Sequence, residues 1–215
     1  FTDRDGKYQL ASLAESAFDP LSRTCKFMLT EEANHMFTGE SGVMRIVNRT
    51  CELMKESDDV VKLGGIPLEL IQKYINFHYS VSLDLFGAEE STNAANFYAC
   101  GLKGRYREES IDDNHILDKH ERTHLSERLQ NDYIEDCERG LARWNKSIRN
   151  HGIDFELELP SKSINRRVGR YANHTDYGVS LPSNAEREYV ASLMSPVTTP
   201  GKFANYIAPP TKGLN

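Results

Sequence analysis

The chain has 215 residues, 39% of them hydrophobic and 27% charged, which describes one globular domain with a real core rather than a disordered segment. A net charge of −6 without any long basic run excludes a dedicated nucleic-acid binder. No stretch approaches ~18 apolar residues and no secretory signal opens the chain, so no membrane span and a cytoplasmic location are expected. Cys25, Cys51, Cys100 and Cys137 are widely spaced, with no Cys-x-x-Cys pair, and read as reduced packing thiols. The opening Phe1-Thr-Asp-Arg-Asp has the texture of a helix interior, so a segment of a longer protein is expected.

In chain order, residues 1–16 read as a helix with Leu10, Leu13, Ala14 and Ala17 at helical spacing. Asp19-Pro20 then offers an N-cap followed by proline at the first helical position, and a second helix runs from Pro20 to about Thr38. Leu21, Met28, Ala33 and Met36 supply part of its apolar face. Gly39 and Gly42 are expected to interrupt it, with the pattern resuming over 43–56. Residues 57–66 are a loop, Pro67 starts a helix ending at Gly87, and 89–115 suggests a helical hairpin. A further helix covers 121–151, with Leu125, Leu129, Ile134, Leu141 and Trp144 as its stripe and Gly152 as its stop. Residues 153–159 alternate, as in a short strand or extended arm, and the last twenty read as a Pro-rich arm over the helical body. The fold class is therefore all-α.

One constellation carries chemistry. Glu32 and His35 are three apart, so on a helix they leave one face a turn apart. If the first two helices turn near Phe18, Asp3 lies fifteen residues before the turn and Glu32 fourteen after it. Both then stand roughly 21–23 Å from the turn, at one height in an antiparallel pair. Two carboxylates and an imidazole suit iron or manganese and no cysteine is near enough for a thiolate site. Such a set is half of a carboxylate-bridged di-metal centre. Glu31 is four before His35, so spacing leaves Glu31 and Glu32 both open, and such pairs also fall by chance on solvated faces. Phe27, Met28, Leu29, Met36 and Phe37 are positioned to enclose the site.

Other motifs compete. His120-Glu121-Arg-Thr-His124 fits the zinc-protease pattern. Its extension fails: Glu127 and Gln130 stand where Gly and His are required, and the flanks are strongly polar. Asp84, within an apolar run, reads as a carboxylate paired with an arginine or as a partner of a ligand histidine. His78 and Tyr79 read as core or wall residues, and Asp112 with His115 as a polar loop or cap.

Several long stretches carry a resemblance: Phe1-Thr-Asp-Arg-Asp-Gly-Lys-Tyr-Gln-Leu, Phe27-Met-Leu-Thr-Glu-Glu-Ala-Asn-His-Met-Phe, Asn76-Phe-His-Tyr-Ser-Val-Ser-Leu-Asp-Leu-Phe-Gly and Pro200-Gly-Lys-Phe-Ala-Asn-Tyr-Ile-Ala-Pro-Pro. Over nearly its whole length the chain resembles the benzoyl-CoA 2,3-epoxidases, oxygenase components of the aerobic box pathway. The resemblance implies a ferritin-like di-iron monooxygenase whose six ligands come as a carboxylate and an E-x-x-H pair from each of two helix pairs. Asp3, Glu32 and His35 match the second set, which selects Glu32 over Glu31, while the first set has no counterpart here. The chain is also shorter than the family around 57–64, 117–122 and 172–180.

The resemblance further implies two irons per complete protein, O2 and benzoyl-CoA as substrates, and electrons from an NADPH-dependent flavin and iron–sulfur reductase. Lys162, Arg166, Arg167 and Arg170 form a basic cluster in an acidic chain, and Arg166 and Arg170 become candidates for the CoA phosphates. The expected organisation is a helical di-iron region, the C-terminal half of a ferritin-like bundle, over 1–159, and an extension packed on it over 160–215. The alternatives are a catalytically silent helical segment or a different carboxylate-bridged di-metal protein.

Overall fold

The structure, a computed structural model, describes residues 1–86, 100–101, 119–161 and 180–198, with the backbone alone at 84, 119–127 and 195–198. Among these residues every regular element is helical: α1 (Thr2–Ala14), α2 (Asp19–Leu53), a 3₁₀ turn (Val61–Leu63), α3 (Leu68–Phe86), α4 (Lys119–Asn150) and α5 (Asn184–Thr198). α1 packs along α2 and also touches α3 and α4, while α4 packs on α2 and α3. No described helix is long and apolar enough to cross a membrane. The expected hairpin at 89–115, apart from Cys100 and Gly101, and the arm beyond residue 198 lie outside the described residues.

The core follows from helical periodicity in α3 and α4. Ile71, Ile75, Tyr79, Leu83 and Phe86 recur at three- and four-residue steps on α3, as Leu129, Tyr133, Cys137, Leu141, Trp144 and Ile148 do on α4. The lower layer joins Ile71, Ile75, Leu141, Trp144 and Ile148 to Val47 and Cys51 of α2. The upper layer gathers Tyr8 of α1 with Tyr79, Leu83, Phe86 and Tyr133. Tyr133 stacks on Tyr79 with ring centroids 6.1 Å apart and meets Tyr8 edge-on at 6.5 Å. Ile134, expected in the α4 stripe, is only half-buried because Tyr133 takes the inward position. Cys25, Cys51 and Cys137 are buried free thiols, and burial pushes Cys137 up to about 11.

Three local expectations are corrected, and at 153–159 the extended arm, one of the two expected alternatives, is what forms. α2 runs unbroken through Gly39 and Gly42, because packing against α1 and α4 outweighs a propensity cost of about 1 kcal/mol per glycine. Its N-cap is Phe18 in extended conformation; Asp19 is already helical and pairs instead with Arg23 at 2.7 Å. Residues 153–161 form an extended arm without a strand partner among the described residues. Side-chain amides replace the missing ladder: Asn145 bonds both the N–H and C=O of Leu157, and Gln72 does the same for Glu158. Finally, α5 occupies a stretch where no helix is expected. Ser183 and Glu186 form a reciprocal capping box at its start, and Glu186 also accepts from Lys73 of α3 at 2.6 Å. Gly152, at φ 75°, ends α4 as expected.

Candidate metal centre

The turn between α1 and α2 is short and tightly bonded. Ser16 Oγ accepts from the Phe18 N–H at 3.1 Å, and Ser22 donates to the Ala14 carbonyl at 2.5 Å. Two antiparallel helices joined this closely are fixed in register, and Gly6 and Gly39 face the carboxylates of the opposite helix. A Cβ on Gly6 would stand 3.5 Å from Glu32 Oε1, and one on Gly39 would stand 3.8 Å from Asp3 Oδ2. Both are ordinary contact distances, and they show how near each helix lies to the other's carboxylate.

Asp3, Glu32 and His35 consequently converge, with one potential ligand atom from each lying within 4.8 Å of the others. Glu31 is exposed and outside this cluster. Glu32 Oε2 is buried and has no hydrogen-bond partner among the described residues. His35 Nδ1 stands 3.7 Å from it, too far for a hydrogen bond. A buried carboxylate oxygen left in this state is costly in an isolated protein and natural beside a metal ion. Two oxygen donors and one imidazole nitrogen match iron or manganese, so the residues fit such an ion.

The enclosure expected from nearby apolar residues takes a different form. Phe27 and Phe37 are 69% and 73% exposed, and Met28 is 42% exposed. Phe27 and Phe37 are each five residues from Glu32, about 140° around a helix of 3.6 residues per turn, so they point away from α1. Met36, nearly in line with Glu32, instead borders a cavity of about 230 Å³ beside Asp3. His78 and Trp144 supply the far wall of that cavity, with Arg4 and Glu40 at its edge. Tyr79, as expected, is a core residue.

Sequence reasoning missed a charged network beside the site. Arg4, only 5% exposed, donates to Glu40 of α2. Arg143 of α4 grips the same carboxylate with two nitrogens, one of them 2.6 Å from Oε2. The Arg143 hydrogen bonds above all hold Glu40 below the usual carboxylate range. Asp136 collects Lys7 at 3.2 Å and Arg139 at 3.0 Å. Burial pushes Asp136 up, but Lys7, Arg139 and Arg4 together hold it below its ordinary value. Gly140 makes room for this network, since a Cβ there would meet an Arg4 nitrogen at 3.0 Å. Nearby, Asp5 is 2% exposed, and burial pushes its carboxyl up to about 6.

The side chains of Asp84, His120, Glu121 and His124 lie outside the described residues, as do Lys162, Arg166, Arg167, Arg170, Asp112 and His115 entirely.

No protein-family model matches the chain. The chain is 48% identical to benzoyl-CoA oxygenase component B of Aromatoleum evansii, over an alignment of 255 residues that takes in all of this chain. The resemblance read from the sequence therefore holds along its whole length. The chain spans 53% of that relative's length.

Proposed function

We propose that this chain carries half of a carboxylate-bridged di-iron centre, with Asp3, Glu32 and His35 as the ligands of one iron, in an oxygenase acting on benzoyl-CoA. One observation carries the reading: three donors from two helices meet within 4.8 Å around a buried, unpartnered carboxylate oxygen. The 48% identity to a benzoyl-CoA oxygenase component supports the substrate class. In this reading the helical body is part of a ferritin-like bundle, and a second helix pair outside this chain completes the six-ligand set.

A bound iron pair would supply reductive activation of O2, with electrons from an NADPH-dependent flavin and iron–sulfur reductase and one oxygen atom entering the aromatic ring as an epoxide. The chain's own residues do the rest. Glu32 and His35, one turn apart on a continuous helix, fix two donors rigidly. Asp3 closes the set from α1, the neighbouring helix of the pair. Trp144, Met36 and His78 line a cavity of about 230 Å³ against Asp3. Arg166 and Arg170 remain the candidates for the CoA phosphates.

The test is reconstitution of the full-length oxygenase with its reductase, NADPH and benzoyl-CoA. O2 uptake coupled to an oxygenated CoA ester is the expected result, and His35→Ala should abolish the coupling by at least about 100-fold. Full coupled turnover in His35→Ala would remove this ligand from the centre.

A further inference from the structure

We infer that Glu40 is a positioning residue of the metal centre that acts by charge: it neutralises Arg4 and so keeps a buried cation from opposing metal binding at Asp3. The inference rests on the reading of Asp3, Glu32 and His35 as metal ligands.

Arg4 follows Asp3 in sequence, and both border the same cavity. Its side chain is 6% exposed, so water screens it poorly. A buried guanidinium next to a ligand for a divalent cation raises the free energy of the loaded site unless an anion cancels it. Two carboxylates are in range, but they are unequal. Glu40 Oε2 bonds Arg4 directly, whereas Asp136 lies 3.9 Å from Arg4 Nε, which has no hydrogen-bond partner among the described residues. Asp136 is also engaged by Lys7 and Arg139. Glu40 is therefore the main counter-charge of Arg4.

The dependence is one-sided. Glu40 has a second cation, Arg143, whose side chain is 50% exposed and remains solvated whatever happens to Arg4. Removing Glu40 leaves Arg4 buried with only the longer 3.9 Å pair to Asp136, a carboxylate already shared with Lys7 and Arg139. Removing Arg4 leaves Glu40 still paired, and the site more anionic. A mere clamp between α1, α2 and α4 predicts that either change harms the site. Charge masking predicts opposite consequences.

The experiment titrates Mn(II) into the metal-free full-length protein and reads free Mn(II) by its EPR signal, for wild type, Glu40→Gln, Arg4→Met, the double variant and His35→Ala. Glu40→Gln should raise the half-saturation concentration on the order of 10-fold. Arg4→Met, which keeps the apolar stem, should bind no more weakly than wild type. The double variant should return to within about twofold of wild type. Weaker binding by Arg4→Met, or a double variant no better than Glu40→Gln, would overturn the inference. If Glu40→Gln does not fold, Arg4→Met alone decides it. His35→Ala separates the two readings: unchanged Mn(II) binding there refutes the metal centre itself, whereas weakening there with none in Glu40→Gln refutes only the charge-masking role.

Discussion

The two ends of α2 bury opposite kinds of residue. From Val47 to Leu53 it contributes Val47 and Cys51 to the packed layer formed with α3 and α4 and also buries Thr50 and Leu53. From Phe27 to Phe37 it exposes large apolar side chains and turns Glu32 inward against α1. α1 matches this second half: its buried residues include Arg4, Asp5 and Ser12 alongside Tyr8 and Ala14. Burial of carboxylates and a guanidinium costs free energy that apolar burial elsewhere must offset. The α3–α4 core therefore stabilises the body, while the α1–α2 hairpin holds the buried polar groups and the proposed metal ligands.

The largest effect should come from breaking the stabilising half. Trp144→Ala removes a side chain 2% exposed that meets Phe1 and belongs to the lower core layer, and should cost about 3–5 kcal/mol in chemical denaturation. In the hairpin, Arg23→Ala breaks only the exposed pair with Asp19, and should change stability by no more than about 0.5 kcal/mol. Equal losses at both positions would erase the contrast between the regions.

Acid should act on the charged network that ties the hairpin to α4. Glu40 and Asp136 have folded values below their ordinary 4.5 and 3.8, so the unfolded chain takes up protons first as pH falls. Their contribution is present above about pH 4.5 and is lost as pH drops through the folded values. Glu40→Gln should flatten the fall in denaturation midpoint below pH 4.5; an acid limb as steep as wild type would show that the network contributes nothing to it.

What the sequence reveals tracks what is local. The α3 and α4 stripes are legible because apolar residues repeat at helical steps, and Glu32 with His35 is legible because both lie on one turn. Asp3 is reachable because the connection to α2 is short. The inward face of α1 is only partly legible: Ala14 is buried as expected, but Leu10 and Leu13 are only half-buried, and three of the five buried residues, Arg4, Asp5 and Ser12, are polar. Periodicity of apolar residues cannot see a face buried for its charges. Arg4, Glu40 and Arg143 come from three helices, separated by 36 and 103 residues, so no local spacing could join them. The start of α5 was readable, since Ser183 and Glu186 have capping-box spacing. Gly39 and Gly42 mislead because propensity alone does not register the helices packed around them.

The most direct test of the central claim is the iron content of the purified full-length protein with Glu32→Ala set against Glu31→Ala. The account predicts that Glu31→Ala keeps about two irons per chain, the number expected of a di-iron carboxylate protein, and that Glu32→Ala loses at least half of them. Equal iron in the two variants would contradict it.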